Sequence, residues 1–300
     1  MQEIGTDAEG AGVSRSFLFV PGDSERKLEK AVGSNADALI IDLEDSVSSQ
    51  KRSQARQIAK EFVSGHGDRD LWVRINALDT EDALADLREL MPAGPAGIVL
   101  PKPRGAKDAI QLAKLLDVFE QESDLSQGQT QILPVATERP AALFHMHEYS
   151  NATPRLAGLT WGAEDLSAAV GATAKRDSQG NWLPPYELAR SLCLFAASAA
   201  GVAAIDTVFT DYKDADGLKR YASNARRDGF SGMLAIHPDQ VDAINEAFMP
   251  SDEEVDRASR IVELFADNPD AGVLSMDGEM IDRPHWLQAR RILDIAQQEE

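Results

Sequence analysis

Short apolar runs rich in β-branched residues recur along the chain, and amphipathic stretches of helical length separate them. Eight runs qualify as strands: residues 17–21, 38–43, 71–75, 97–101, 132–136, 157–161, 203–208 and 233–237. Continuous apolar strands that alternate with helices are typical of parallel strands buried on both faces. Eight such units fit a closed barrel better than an open doubly wound sheet. The pattern therefore predicts an α/β fold, a (β/α)8 TIM barrel with a C-terminal helical extension.

The amphipathic stretches predict helices at residues 25–33, 51–63, 83–90, 107–119, 141–148, 186–200 and 215–228. Two more helices are predicted at the C-terminal end, over 253–265 and 283–297. The segment between them, 272–282, is too long and too mixed for a simple turn. We predict a disordered tail over 1–13, a barrel catalytic domain over 14–250, and a helical segment over 251–300.

Composition narrows the possible partners. The chain has 300 residues, of which 43% are hydrophobic, and a formal net charge of −20. Such a negative surface repels phosphate backbones and anionic lipid, so neither nucleic acid nor membrane is an expected partner. Residues 1–13 lack the pattern of a signal peptide, and we expect a cytoplasmic location. The single cysteine, Cys193, lies in an apolar run and is expected to be a core thiol.

Chemistry in a parallel barrel is expected where the strands end. Nearly every predicted strand is followed by a charged or hydrogen-bonding residue. Carboxylates follow the second, fifth, sixth and seventh strands, and cations follow the third and fourth. These residues are Asp42, Glu44, Asp45, Arg74, Lys102, Glu138, Glu164, Asp165 and Asp206.

Glu138 and Asp165 follow adjacent strands, so their carboxylates can converge over the barrel mouth. Two facing carboxylates repel each other unless a cation lies between them, and Mg²⁺ prefers one or two protein carboxylates. We therefore predict a magnesium site, with Glu44 and Asp45 accepting hydrogen bonds from waters around the ion. The alternative is that acids here cap helices. We favour capping for Glu164 and Asp23, and metal binding for Glu138 and Asp165.

Arg74 lies between apolar neighbours, so its guanidinium should be partly buried and should require an anionic partner. Its planar fork suits a substrate carboxylate or a developing enolate oxygen. A structural ion pair with one of the acids is the alternative, and a substrate could displace that acid. Lys102 supports the same interpretation more weakly. His237, before a proline, is left open between a carbonyl-polarising and a structural role.

Seven ordered motifs indicate a family. They are RSFLFVPG at 15–22, DLED at 42–45, VRIN at 73–76, LPK at 100–102, GAEDL at 162–166, IHP at 236–238 and MID at 280–282. Together they resemble the HpcH/HpaI aldolase and citrate lyase family, in its citrate lyase beta-subunit-like and malyl-CoA lyase branch.

The resemblance implies a TIM barrel enzyme that uses Mg²⁺ to cleave a 3-hydroxyacyl-CoA, such as malyl-, citramalyl- or citryl-CoA, to an acyl-CoA and a 2-oxo acid. In this family Glu138 and Asp165 match the metal ligands, Glu138 also contacts substrate, and Arg74 anchors the substrate. Phe19 and Lys30 match positions that contact the CoA substrate.

The resemblance further implies that Asp282 is the base of the condensing direction. It belongs to the C-terminal segment of a neighbouring subunit, which predicts a homotrimer or a hexamer.

Some positions depart from the family pattern. The strand that precedes Glu138 continues as Thr-Glu-Arg-Pro rather than Glu-Thr-Ala-Arg. Ser24 and Met233 replace two expected cations, which weakens the case for CoA because CoA carries several phosphate charges. Arg26 and Lys27 would either compensate or form a solvated helix face.

Three alternative functions remain open at this point. The first is a class II aldolase that acts on a free hydroxy-2-oxo acid. The second is a malyl- or citramalyl-CoA thioesterase in which Asp282 activates water. The third is a non-catalytic subunit of a citrate lyase complex, which the acidic surface disfavours because the acyl carrier partner is itself acidic.

Overall fold

The computed structural model describes residues 14–297. Its first compact unit, Ser14–Asn245, is built on eight parallel strands. They are β1 (Ser16–Pro21), β2 (Ala38–Asp42), β3 (Asp70–Arg74), β4 (Gly97–Leu100), β5 (Gln131–Pro134), β6 (Gly158–Thr160), β7 (Ala203–Asp206) and β8 (Gly232–Ala235). Each predicted strand is therefore present, with ends that differ from the prediction by at most two residues.

The strands close into a barrel. Their order is β5-β4-β3-β2-β1-β8-β7-β6, so β1 pairs with β8 as well as with β2. Parallel bridges between Ile132 and Leu156 and between Val135 and Thr160 join β5 to β6. The backbone N–H of Ala136 donates to the carbonyl of Thr160 at 2.7 Å across the same seam. The predicted (β/α)8 fold is confirmed.

Side chains from most strands fill the barrel interior rather than leaving a pore. The buried cluster there comprises Phe17, Ala38, Ile40, Trp72, Val99, Leu133, Val135, Ile205 and Leu234. Trp72 meets Phe17 edge to face, with ring centroids 6.0 Å apart. The Trp72 ring lies against the backbone of Gly97 on the neighbouring strand, where an added Cβ would come within 2.2 Å of the ring.

Helices follow the strands on the outside of the barrel. They are α1 (Glu25–Val32), α2 (Arg52–Gly65), α3 (Glu81–Leu90), α4 (Ala106–Glu122), α5 (Ala163–Ala169), α6 (Pro184–Ala200), α7 (Ala215–Asp228) and α8 (Val241–Phe248). Sequence periodicity did not predict α5 and α8, which have only seven and eight residues. The predicted helix at 141–148 is instead a 3-10 helix, Pro140–Asn151. None of the helices among residues 14–297 has the length and apolar character needed to cross a membrane.

The second compact unit begins at Glu246. It contains α9 (Asp252–Ala266), a hairpin of β9 (Val273–Met276) with β10 (Glu279–Asp282), and α10 (Arg283–Gln297). Only the two helices were predicted. The hairpin turn is Asp277-Gly278, and both residues have positive φ, as this type of tight turn requires. The predicted disordered tail, 1–13, lies outside the described residues.

The contact between Gly97 and Trp72 can be tested by the substitution Gly97→Ala. The added methyl group has to displace a buried indole ring, and we expect unfolding to become easier by about 1–3 kcal/mol. Gly67→Ala is the matched control, because a Cβ there would meet no atom within 4 Å. Urea unfolding of both variants measures the difference. Equal stability of the two would show that the ring can move at no cost.

Candidate active site

Two carboxylates meet at the carboxyl ends of neighbouring strands. Glu138 follows β5 and is 4% exposed. Asp165 follows β6, in the first turn of α5, and its side chain is 34% exposed. The approach of these two segments depends on Gly162, because a Cβ there would lie 2.6 Å from Cγ of Glu138. Glycine is the residue that lets the β6–α5 turn pass so close to the acid.

Lys102 links the two acids with its two ends. Its backbone N–H donates to Oε2 of Glu138 at 2.5 Å, and its Nζ lies 3.3 Å from Oδ1 of Asp165. The same ammonium group contacts Glu44 at 2.6 Å and Asp45 at 3.0 Å. Lys102 adopts a left-handed backbone conformation, with φ of 49°. This uncommon geometry lets one residue face both acids.

The surroundings of Glu138 disfavour the ionised form of its carboxyl group. Burial raises the pKa of Glu138 to about 8, and the negative charges of Asp165 and Glu44 act in the same direction. Burial also raises the pKa of Glu44, although Arg74 and Lys102 oppose the shift. Burial acts to lower the pKa of the Lys102 ammonium, but the surrounding carboxylates outweigh this effect and raise it. One lysine thus does not neutralise the four acids, and a further cation would stabilise their ionised forms.

Arg74, at the end of β3, forms the second part of the site. Its Nε and Nη2 donate to the two oxygens of Asp42 at 2.7 and 2.6 Å. The guanidinium lies over the ring of Phe19, 4.7 Å from its centroid, and its Nη1 is 3.5 Å from Glu44. Burial opposes ionisation of Asp42, but the hydrogen bonds and charge of Arg74 outweigh it and lower the pKa of Asp42. The ion pair foreseen as one alternative for Arg74 is therefore present.

Several other predicted positions lie elsewhere. Lys30 is exposed in the last turn of α1, and Arg26 and Lys27, in the first turn of that helix, also face solvent. The capping role predicted for Asp23 is wrong. The N-cap of α1 is Ser24, without a side-chain cap, and Asp23 forms an ion pair with Lys51 at 2.9 Å. Lys51 ends the short 3-10 helix Ser49–Lys51 between β2 and α2, and the pairing of β1 with β2 brings this segment close to Asp23.

Glu164 and His237 have structural partners. Glu164 lies in the first turn of α5, as expected for an acid at a helix start, and forms an ion pair with Lys175. His237 accepts a hydrogen bond on Nδ1 from the backbone of Asp239 at 3.2 Å and stacks on Tyr212. It therefore caps a 3-10 turn, which supports the structural role of His237.

Asp206, at the end of β7, has a role that the sequence did not indicate. Its oxygens accept hydrogen bonds from Nε1 of Trp161 at 2.7 Å, from Arg190 at 2.8 Å and from the hydroxyl of Tyr221 at 3.0 Å. The carboxylate is fully buried. These donors come from distant segments, so no local motif could have revealed the network.

Asp282 belongs to the second unit, at the end of β10. Its Oδ1 lies 2.5 Å from Nδ1 of His285, in the first turn of α10. The side chains are 30% and 41% exposed, so both remain accessible from solvent. The sequence reasoning missed His285, although a spacing of three residues at a helix start is a signal for such a contact.

A metal at this site would have few protein ligands. Within residues 14–297 there is no group of three or more His, Cys, Asp or Glu side chains arranged to hold an ion. The donors beside each other are carboxylates from Glu138 and Asp165. Two hard oxygen ligands, with water and substrate completing the shell, suit Mg²⁺ and do not suit zinc.

The chain is similar to curated bacterial enzymes over nearly its whole length. It is 33% identical to citrate lyase subunit beta of Leuconostoc mesenteroides subsp. cremoris over 286 residues, which cover 94% of this chain and 93% of that protein. It is also 33% identical to (3S)-malyl-CoA thioesterase of Cereibacter sphaeroides over 289 residues, which cover 94% of each protein.

A solved structure agrees with this relationship. Protein CitE from Mycobacterium tuberculosis, in complex with magnesium, acetoacetate and coenzyme A, superposes with a TM-score of 0.78 at 30% sequence identity. The match covers 95% of this chain and 98% of that chain. The model of the HpcH/HpaI aldolase/citrate lyase family matches residues 15–238, which include the cluster around Lys102 and Arg74. The chain therefore belongs to the HpcH/HpaI aldolase/citrate lyase family of enzymes.

Proposed function

We propose that this protein is a Mg²⁺-dependent carbon–carbon lyase that acts on a 3-hydroxyacyl-CoA. Malyl-, citramalyl- and citryl-CoA are the candidate substrates, and the products are an acyl-CoA and a 2-oxo acid. The observation that carries the proposal is the convergence of Glu138 and Asp165 on Lys102, beside the buried Arg74. The CitE structure that contains magnesium, coenzyme A and an acid in one complex supports the same chemistry.

Glu138 and Asp165 would hold the magnesium ion. Two observations support a magnesium ion at this position: carboxylates outnumber cations around Lys102, and the pKa of Glu138 is raised. An added cation would lower that pKa. Oε2 of Glu44 is buried and accepts no hydrogen bond within the described part of the chain, so it is available to a water near the ion. When bound, Mg²⁺ supplies Lewis acidity to the carbonyl group of the substrate.

Arg74 would bind the carboxylate or the thioester oxygen of the substrate. Its fork already engages Asp42 in a bidentate geometry, and a substrate anion of the same shape can exchange with that acid. Phe19 packs against the guanidinium and limits its movement. As the carbon–carbon bond breaks, negative charge develops on the thioester oxygen, and a fixed guanidinium stabilises that charge more than it stabilises the ground state.

Asp282 would be the group that transfers a proton to and from the acyl-CoA. In the condensing direction its carboxylate takes a proton from the α-carbon of the acyl-CoA, and in the cleaving direction it returns that proton. The carboxylate comes from the C-terminal segment of a neighbouring subunit, so the active form would be a homotrimer or hexamer. The contact with His285 leaves Oδ2 of Asp282 available for this transfer.

Thioester hydrolysis is the second candidate function. It is supported by the relative named (3S)-malyl-CoA thioesterase and by the exposed Asp282–His285 pair, which resembles the carboxylate–imidazole pairs that activate water. An assay that records the 2-oxo acid and the free thiol separately distinguishes the two reactions. A lyase releases the 2-oxo acid and keeps the thioester, whereas a thioesterase releases the thiol.

The other two alternatives predict different results in that assay. A class II aldolase would cleave free hydroxy-2-oxo acids without any CoA ester. A non-catalytic subunit of a citrate lyase complex would turn over none of these compounds alone. The loss of two expected cations at Ser24 and Met233 makes this comparison necessary, since Met233 is a fully buried side chain of β8 and cannot contact a phosphate.

The substitution Asp165→Asn tests the metal assignment. We expect Mg²⁺-dependent turnover to fall by about 100-fold or more, because a ligand charge is lost where the substrate charge develops. The unfolding free energy should change by less than about 1 kcal/mol, since Asp165 is partly exposed. Asp216→Asn is the matched control, an exposed acid in the first turn of α7. Full activity of Asp165→Asn would refute the metal role.

The raised pKa of Glu138 predicts that Mg²⁺ binding depends on pH. Below about pH 8 Glu138 carries a proton, and this proton must leave before the carboxylate binds the ion. The affinity should therefore rise by about tenfold for each pH unit between about pH 6 and about pH 7.5. Calorimetric titration in buffers of different protonation enthalpy counts the released proton. Glu138→Gln should bind weakly with no such slope. A constant affinity for the unchanged protein would contradict the prediction.

Mixed oligomers test whether Asp282 serves a neighbouring site. Arg74→Lys keeps the charge but loses the fork, Asp282→Asn loses the base, and each variant alone should lose about 100-fold in kcat. Mixing the two should restore part of the activity, because some sites then combine an intact Arg74 with an intact Asp282. A mixture of Arg74→Lys with Asp165→Asn should show no recovery. Both residues belong to the barrel, so every barrel in this mixture carries one of the two substitutions. Equal behaviour of the two mixtures would exclude a shared site.

A further inference from the structure

A cavity of about 250 Å³ lies at the carboxyl ends of β6 and β7. Its apolar wall consists of Trp182, Val208 and Phe209, and its charged wall includes Arg176. Glu164, which also lines it, directly precedes Asp165 in the chain, so the cavity opens at the same end of the barrel as the acid cluster. The cavity is smaller than typical sites for drug-sized ligands and suits a small molecule or one arm of a larger one.

Arg176 differs from four of the other partly buried arginines of the barrel. Arg56, Arg74, Arg155 and Arg190 each form an ion pair with at least one carboxylate. Arg176 has no carboxylate within ion-pair distance among residues 14–297. It lies over the Trp182 ring at 3.5 Å from the centroid and donates to the carbonyl oxygen of Gly180 at 2.7 Å.

This arrangement leaves a positive charge unbalanced inside a very acidic protein. The chain has 50 acidic residues and a net charge of −20, yet none of its described acids pairs with this guanidinium. Burial lowers the pKa of Arg176, and the opposing effects of Tyr221 and of the nearby charge of Asp206 do not outweigh it. A half-buried charge without a partner is costly, and a bound anion would remove that cost.

The neighbouring charges of the cavity are already engaged. Lys175 forms an ion pair with Glu164, and Oδ1 of Asp211 accepts a hydrogen bond from the backbone N–H of Lys213 at 3.3 Å. Arg176 is therefore the cation that remains for a ligand. One guanidinium matches a single negative charge, and its planar fork matches a carboxylate.

We propose that this cavity binds the carboxylate group of a small organic acid through Arg176, with the carbon chain against Trp182, Val208 and Phe209. The acid is either free or the end of the acyl group of a thioester. A phosphate fits less well, because its second charge would need a further cation and the apolar wall offers it no donor. The binding itself does not require the proposed lyase reaction, whereas the thioester source of the carboxylate rests on that reaction.

Calorimetric titration of the full-length protein with butyrate, in the presence of EDTA, tests the binding. EDTA removes divalent ions, so an acid cannot be held by a metal at Glu138 and Asp165. We expect the unchanged protein to bind butyrate and Arg176→Gln to bind it at least about tenfold more weakly. Arg176→Lys should lie between them, because it keeps the charge and loses the fork.

Three controls make the test decisive. Arg52→Gln removes a partly buried arginine that has its own carboxylate, Asp82, and should bind butyrate normally. Butyramide, which has the same shape without the charge, should not bind. Inorganic phosphate should bind more weakly than butyrate. The proposal is overturned if the unchanged protein does not bind butyrate, if Arg176→Gln binds it equally, or if butyramide or phosphate binds as well as butyrate does.

A kinetic comparison then identifies the source of the carboxylate. With Mg²⁺ present, KM is measured for thioesters whose acyl group ends in a carboxylate and for matched thioesters without it. A rise in KM of Arg176→Gln confined to the first group shows that the cavity holds the acyl end of the substrate. An unchanged KM, together with lost butyrate binding, shows that the site serves a free acid. If no thioester is turned over by the unchanged protein, the lyase proposal fails and the EDTA titration still decides the binding site.

Discussion

The rest of the site depends on the concentration of negative charge around Lys102. Four acids from three loops, Glu44, Asp45, Glu138 and Asp165, approach one ammonium group and one backbone N–H. Holding carboxylates this close costs free energy, which the protein recovers by strand pairing and core packing elsewhere. The pKa of Glu138 is raised mainly by burial and further by the charges of Asp165 and Glu44, so an added cation would stabilise its ionised form.

The barrel supplies the rigidity that this arrangement requires. Glu138 is held between the backbone of Lys102 and the turn at Gly162, neither of which can move without disturbing a strand end. Arg74 is fixed by Asp42 below and by Phe19 beside it. In the proposed reaction, such constraint would keep the charged groups in place before substrate binds, so that little reorganisation would be needed.

The two compact units divide the chemistry of the proposed reaction. The barrel holds the acid cluster and the guanidinium that would stabilise negative charge. Asp282, the proposed proton-transfer group, lies on the hairpin of the second unit, whose core includes Ile261, Ile281 and Ala289.

The sequence by itself determined the strand count and the barrel, and it singled out charged residues at the strand ends as candidates for the site. Eight apolar runs can be read locally, because burial on both faces leaves a continuous apolar signature, and the polar residue after each run marks the site. The tertiary structure decided which charges meet. Asp42 faces Arg74 because β2 and β3 pair in that register, and Lys102 reaches both acids because of its left-handed backbone. The network around Asp206 and the ion pair of Asp23 with Lys51 have the same origin. These contacts join residues far apart in the chain, and their geometry is set by packing rather than by local pattern.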